Sequence, residues 1–594
     1  MASFIVLRSL QITFESNPIF TTIIAFKAAR HNRAMLDFVT MRLIPTRLWA
    51  MAILSGVLQV LPFPVAGPVP VWRTVLCWIV LAPLLKALTS NDADGQPLRI
   101  LQGAALGYSS GFVWYLGNCY WIYQTMHLYG GIAKPVSAGI LVLFCLYLGL
   151  YHALFGALIA AFRRSRLGFQ LTLLLSPFAW VAVELARARI TSFPWDLLGI
   201  TQVDNPLLTR LAPFTGAYGI SFVIAAVNAL WLSRITLKRR RYTRPLITTA
   251  GIAVVMLYLM GLNHIQKPVR QGTAATATLI QENLEVGAAA AAAGPPLTKN
   301  QMLQSFSQLS LLPPPGPVCY GIPELPSTRC LSATTPQNQA NPDAAHLGLT
   351  TNLIVWPEAP NDFFEVDRVF RSTMSNLART ADAAVISSSI GIDDGSDVTR
   401  KYYNSAAFFA PDGSMAGRYD KMHLVPFGEY TPYKRLFFFA GNLLQDVGIF
   451  EPGRKRLVFH AGGHTYGTFI CYESIFGDEV RQFEDLGADV LINVSDDGWY
   501  GDSSAAWEHL NMVRIRAIEN HRWILRATNT GVTASIDPYG RVVVSAPRHI
   551  RTSLRAAFDY EQDVTFYAAH GDLFAYLCAL ITALGLGSSL VRRA

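Results

Sequence analysis

The chain has 594 residues, of which 51% are hydrophobic and only 15% charged, and its formal net charge is +9. That is too apolar for one ordinary soluble enzyme, and the length calls for two or more domains. In so apolar a chain a basic excess collects in loops on one side of a membrane, so the charge gives no reason to expect nucleic acid as a partner.

Residues 1–47 hold six basic side chains (Arg8, Lys27, Arg30, Arg33, Arg42 and Arg47) and one weak apolar run, Ile19 to Phe26. The run is short and no small-residue cleavage site follows it, so it does not read as a signal peptide. The segment reads as a basic cytoplasmic extension, or as an over-long start with Met35 or Met41 as the true beginning.

Long apolar stretches follow, each near the length a helix needs to cross ~30 Å of hydrocarbon. The expected spans are Leu48–Phe63, Pro70–Leu88, Ile100–Tyr123, Val136–Phe162, Leu171–Ala188, Pro206–Leu232 and Leu246–Leu262, with a last one at Leu573–Val591. They define a transmembrane domain over 48–265 and a final helix and tail over 571–594. Tyr115, Tyr120, Trp121 and Tyr123 cluster at one span end, as in an interfacial aromatic belt. Arg163-Arg164-Ser165-Arg166 and Lys238-Arg239-Arg240-Arg241 fall on the same side as the basic amino terminus and Arg592-Arg593. The alternate loops, Pro62–Pro70 and Thr125–Pro135, are nearly free of positive charge. The amino terminus is therefore expected in the cytoplasm and everything from about Asn263 to Gly571 outside it. Arg187 and Arg189 fall on the outer side, against this tendency.

Residues 270–565 read as a second, α/β domain. Thr276–Gln281 is a predicted strand, and Ala288 to Ala293 is a low-complexity alanine run. Residues 313–345 are rich in Pro, Ser, Thr, Asn and Gln without periodicity, and are expected to be an exposed, disordered-type insertion. Leu353–Trp356, Ala383–Ile390, Asn404–Ala410, Met415–Tyr419, Phe469-Ile470, Val490–Val494, Ile524–Ala527, Val532–Ile536 and Val542–Ser545 are predicted strands, and Ala505–Asn520 has helical spacing. Strands interleaved with helices imply a layered α/β domain. The seven cysteines show no zinc-type spacing with histidine, and no Gly-rich phosphate loop occurs, so neither metal nor other cofactor is expected. Cys319 and Cys330 lie close together in a polar loop and can pair if that loop is outside the cytosol.

Three reactive residue types stand at the ends of three predicted strands: Glu358 after Leu353–Trp356, Lys421 after Met415–Tyr419, and Cys471 after Phe469-Ile470. A thiol titrates near ~8.5 and needs a base or cation beside it to become a nucleophile at neutral pH. A buried glutamate can take and return a proton. A fixed lysine stabilises both the thiolate and the oxyanion formed on attack at a carbonyl.

Trp356-Pro357-Glu358, the run Asp420-Lys421-Met422-His423-Leu424-Val425-Pro426-Phe427-Gly428-Glu429-Tyr430, and Ile470-Cys471-Tyr472-Glu473 occur in that order. Together they resemble the signature of the nitrilase superfamily. With seven helices before the second domain and one after it, the whole resembles the membrane-embedded bacterial apolipoprotein N-acyltransferases, from about residue 48 onward. The resemblance implies a multi-pass α-helical bundle joined to an αββα sandwich, in the bacterial inner membrane, with the catalytic domain on the periplasmic side. It implies Glu358 as general base, Lys421 as oxyanion stabiliser and Cys471 as nucleophile. Glu429, Tyr472, Glu473 and Trp499 match residues that support the site, and the Tyr472 N–H is a natural second oxyanion donor.

The implied reaction passes a fatty acyl chain from a phospholipid, through a Cys471 thioester, to the α-amine of a diacylglyceryl-modified apolipoprotein cysteine, the last step of lipoprotein maturation. One departure is the region Gln281-Glu282-Asn283-Leu284-Glu285-Val286-Gly287, where the family carries a tryptophan and this chain has none. Tyr433-Lys434-Arg435-Leu436-Phe437-Phe438-Phe439 reads as an interfacial arm that dips into acyl chains, or as a buried helix start. Two other readings stand beside the main one. The first is a membrane-anchored amidase or nitrile hydrolase acting on a small substrate. The second is a transporter or sensor with a degenerate outer domain, against which the scarcity of charge in the helices speaks.

Overall fold

The computed structural model describes residues 44–236, 275–293, 295–312, 316–331, 351–358, 363–393, 400–430 and 450–591. The expected basic extension, the span Leu246–Leu262 and the arm at Phe437–Phe439 lie outside these residues. The first described part is a helical bundle: α1 (Thr46–Val60), a broken helical stretch α2 (Val71–Thr89), α3 (Ile100–Asn118), α4 (Lys134–Arg164), α5 (Gly168–Ile190) and α6 (Ala217–Thr236). Four of them, α2, α4, α5 and α6, are long and apolar enough to cross a membrane by length and composition, and the chain is a membrane-bound protein. Helices α3 and α4 pack backbone to backbone. A Cβ on Gly103 would collide with the Gly156 carbonyl, and one on Gly107 with the His152 carbonyl.

Two spans differ from expectation. Pro206–Leu232 is not one helix: the chain makes short turns at Thr209–Leu211 and Ala212–Thr215, and Gly216 reverses it with φ 62° before α6 begins. Ile100–Tyr123 ends its helix at Asn118, where Cys119 leaves helical geometry, and continues as a short turn at Trp121–Gln124 and a wide one at Thr125–Tyr129. In both places the broken segment packs on the bundle and also touches the second part of the molecule.

That second part has two sheets. The first runs in the order β14-β1-β4-β5-β6-β7, where β1 is Ala275–Gln281, β4 Leu353–Val355, β5 Ala384–Asp393, β6 Lys401–Phe409, β7 Met415–Asp420 and β14 Thr552–Phe558. The second runs β3-β2-β13-β12-β11-β10-β9-β8, with β2 Val318–Tyr320, β3 Arg329–Leu331, β8 Val458–Ala461, β9 His464–Ile470, β10 Val490–Ser495, β11 Ile524–Thr528, β12 Ala534–Ile536 and β13 Val542–Ser545. The period of two sorts side chains into layers. Leu353 and Val355 of β4 join the core between the sheets, while Ile354 faces the other way, into the cluster under α7 (Lys299–Leu311) and α8 (Arg368–Ala381). Helices α9 (Gly477–Asp485) and α10 (Ala505–Asn520) cover the second sheet. Since α10 also packs Met512, Ile515 and Ile518 against the bundle, it is buried all round. The architecture is an αββα sandwich seated on the helices by α10.

The expected insertion at 313–345 is corrected in part. Residues 318–331 form the hairpin β2–β3, closed by a Cys319–Cys330 disulfide and joined to β13 where Cys319 faces Ser545. Strands of three residues between prolines carry too little periodicity to be read from sequence. Strands β8 and β14 were not predicted either; β14 pairs antiparallel along the whole of β1.

The bundle end nearest the sandwich is fastened to it by polar contacts. Arg189, at the end of α5, bonds both Asp478 of α9 and Asp572, which precedes the last helix α11 (Leu573–Val591). The Trp195 indole donates to Glu508 at 2.6 Å, Ala217 N–H donates to Glu519 at 2.9 Å, and Arg514 pairs with Asp204. At the opposite end the Arg164 guanidinium donates to the Pro97 carbonyl at 2.9 Å.

Candidate active site

Glu358 leaves the end of β4 through Trp356-Pro357, where the proline stops the strand. One carboxylate oxygen, Oε1, accepts from Asn404 Nδ2 at 2.7 Å and lies 3.4 Å from Lys421 Nζ. The other, Oε2, accepts from the Asp496 N–H at 3.1 Å. Lys421, the first residue past β7, is only 1% exposed, and its ammonium donates to Glu429 Oε1 at 2.9 Å. Burial works to lower the Lys421 pKa, but Glu358 and Glu429 outweigh it and hold the group above its ordinary value, so it stays charged.

Cys471 ends β9 in the left-handed conformation, φ 48°, on the turn Cys471–Ile475. A non-glycine residue there marks strain of the kind that clusters at reactive sites. The thiol is 7% exposed, and burial together with Glu358 pushes its pKa well up, while Lys421 pulls it down. In the resting site the proton therefore stays on sulfur. A thiol so placed can attack a carbonyl if a neighbouring base takes its proton as the sulfur bond forms, which is the pattern of general-base catalysis.

The other expected residues divide by role. Glu429 holds Lys421, accepts from Asn404 Nδ2 at 2.5 Å, and pins the loop that carries it through the Val425 N–H at 2.7 Å. Glu473 staples two site segments together. Its Oε1 accepts from Tyr419 Oη (2.8 Å) and the Met422 N–H (2.7 Å), and its Oε2 from the Ile470 N–H (2.7 Å). The Lys421 loop and the cysteine turn are thus fixed by one carboxylate. Tyr472 reaches the helical bundle, its hydroxyl donating to the Ser192 carbonyl at 3.2 Å. Trp499 is not a core tryptophan: it is 42% exposed, on the turn after β10, with its carbonyl accepting from Thr125 Oγ1 at 3.0 Å.

Asn404 was missed. Its Nδ2 donates to both Glu358 and Glu429, so two facing carboxylates share one ammonium and one neutral amide. A lone asparagine in a strand of alternating pattern carries no sequence signal for this. Asn404→Ala should slow acylation of Cys471 by about 10- to 100-fold, from ~1.5–3 kcal/mol for a hydrogen bond to a charged group. Asn404→Asp, which puts a third carboxyl into the cluster, should slow it further. Stopped-flow rates of acyl-enzyme formation check both, and a rate unchanged in both variants would remove Asn404 from the site.

Residues 55–230 match the family described as Apolipoprotein N-acyltransferase N-terminal domain, and residues 276–562 the one described as Carbon-nitrogen hydrolase. The chain is 32% identical over 552 residues to the apolipoprotein N-acyltransferase of Geobacter metallireducens, covering 91% of this chain and 96% of that protein. It is 32% identical over 514 residues to that of Methylococcus capsulatus, covering 85% and 91%. Among solved structures, a point mutant of the Nesterenkonia AN1 amidase of the nitrilase superfamily aligns at 16% identity with TM-score 0.34, covering 52% of this chain and 99% of that one.

Proposed function

The chain belongs to the apolipoprotein N-acyltransferase family, and from that premise we propose that Cys471, Glu358 and Lys421 carry out a two-step acyl transfer between lipids. In the first step Glu358 takes the thiol proton and the Cys471 sulfur attacks an ester carbonyl of a phospholipid. The Lys421 ammonium and the Tyr472 N–H stabilise the oxyanion. Collapse expels the glycerol oxygen, which takes the proton back from Glu358, leaving a thioester and a lysophospholipid. In the second step the α-amine of the diacylglyceryl-modified cysteine of an apolipoprotein attacks the thioester. Glu358 accepts the amine proton, and the sulfur leaves with its proton restored. The intermediate predicts ping-pong kinetics.

The observation that carries this reading is the buried Glu358–Lys421–Glu429 cluster acting on a thiol at a strained strand end. Glu429, Tyr472 and Glu473 support it as described, and Trp499 stands at its outer rim. Low exposure of Cys471 keeps water from a thioester that would otherwise hydrolyse.

We assign 48–265 to the membrane domain, 270–565 to the catalytic domain and 571–594 to the last helix and tail. The protein is placed in the inner membrane with its catalytic domain on the periplasmic side. Three features support this. Arg163 and Arg164 lie at the bundle end far from the sandwich, beside Thr89 and Pro97. Arg189, one of the two cations that ran against the charge rule, is neutralised by Asp478 and Asp572. The Cys319–Cys330 pair belongs to an oxidising compartment.

Intact-protein mass spectrometry after incubation with phospholipid vesicles tests the reading. The wild type is expected to gain one fatty-acyl mass on Cys471, and Cys471→Ala none. A wild type that stays unmodified by phospholipid yet hydrolyses small amides would favour a membrane-anchored amidase instead.

A further inference from the structure

Behind the nucleophile lies a buried ionic cluster that the two-step transfer leaves unused. His509, on α10, is fully buried, with Nδ1 2.9 Å from Asp497 Oδ1 and Nε2 2.6 Å from Ser474 Oγ and 3.1 Å from the carbonyl oxygen of Cys471. Asp497 also bonds Arg526 Nη2 through Oδ2 at 2.5 Å and accepts from Ser495 Oγ at 3.0 Å. The Trp195 indole stacks on the imidazole at 6.0 Å, and the Tyr500 ring meets it edge-on. The ring is therefore held in plane and in rotation.

The hydrogen positions follow from what the partners can do. Burial would raise the Asp497 carboxyl, but Arg526 and His509 outweigh it and keep it ionised, so its oxygens only accept. Nδ1 must then carry a hydrogen. On the other edge Nε2 meets the Ser474 hydroxyl, which can donate or accept, and the Cys471 carbonyl oxygen, which only accepts, so a hydrogen on Nε2 is what bonds the ring to Cys471. The ring thus bridges Asp497 on one side and the backbone of Cys471 on the other.

The Cys471 carbonyl and the Tyr472 N–H belong to one planar trans peptide and point opposite ways. Fixing the oxygen fixes the N–H. Tyr472 also lies in the first turn of a short helix, where N–H groups have no partner within the helix. We propose that His509 is a positioning residue for acyl transfer: its Nε2 clamps the Cys471 carbonyl and thereby aims the Tyr472 N–H at the oxyanion. This rests on the two-step reading above but concerns a group outside its triad.

The test separates reactions that form an oxyanion from one that does not. Full-length wild type and His509→Gln are compared for Cys471 acylation by vesicles of phosphatidylethanolamine and phosphatidylglycerol, for acylation by p-nitrophenyl butyrate, and for alkylation by iodoacetamide. A misaimed donor should slow both acylations by about 100-fold while alkylation stays within about threefold. Equal slowing of acylation and alkylation would show a merely structural role, and unchanged acylation would show none; either overturns the proposal. A wild type acylated by the nitrophenyl ester but never by phospholipid would sink the lipid reading and leave the clamp to be judged on the ester alone.

Should His509→Gln fail to fold, His509→Asn, whose shorter side chain withdraws from the Cys471 carbonyl, is put through the same three assays. Selective loss of both acylations supports the clamp, and acylation and alkylation that change together overturn it.

Discussion

Lys421→Met is expected to abolish acyl-enzyme formation, slowing it at least about 1000-fold, and to destabilise the protein by ~3–5 kcal/mol. Methionine fills similar space without charge, so the effect isolates the ammonium. That ammonium lies 2.9 Å from Glu429 and 3.4 Å from Glu358, and without it two part-buried carboxylates face each other across the single amide of Asn404. One of them must then take up a proton. If it is Glu358, the base is lost along with the oxyanion partner. The two losses separate in the double variant Lys421→Met/Glu429→Gln, which removes one of the two facing charges. Its thermal midpoint should recover most of the way to wild type while acylation stays lost. Recovery of acylation in the double variant would show that Lys421 serves only to balance charge.

Glu358→Gln is expected to slow acylation by roughly 100- to 10,000-fold, the range for loss of a general base. The same variant should make the thiol ionise more readily. Burial pushes the Cys471 pKa up first, the Glu358 charge pushes it up further, and Lys421 pulls it down. Removing the glutamate charge leaves burial and Asp497 against Lys421 and a Ser495 hydrogen bond, so the thiol pKa falls. The midpoint of iodoacetamide alkylation against pH should move to lower pH in Glu358→Gln, even as transfer to Cys471 from an ester is lost. A midpoint that moves up, or stays, would mean that Glu358 is not ionised beside the resting thiol.

The three strand-end residues could be read from sequence because each follows a short predicted strand. Pro357 stops β4, Asp420 ends β7 and the Cys471 turn ends β9. Chemistry at strand ends leaves that mark whatever the tertiary arrangement. The supporting residues leave none. Asn404 sits inside β6 and Arg526 inside β11, and only pairing across the sheets shows that they face the site. His509 lies on α10, buried both by the sheet and by the bundle, so no polar face marks its orientation. The helix spans were legible by length, but their ends were not. The segment before Ala217 is apolar because it packs against α10 and not because it crosses lipid. The disulfide hairpin was masked by its polar, proline-rich flanks.

The proton that rests on Cys471 also governs what else can reach that sulfur. Oxidants attack the thiolate and leave the thiol largely alone, and the ladder from sulfenic to sulfonic acid begins there. In a domain whose Cys319 and Cys330 stand oxidised, a permanently ionised nucleophile would be spent on peroxide or captured by stray disulfides. Here burial and a neighbouring anion keep the sulfur protonated until a carbonyl arrives to accept the electron pair. Under the proposed mechanism, the arrangement that holds the proton on sulfur also slows its oxidation.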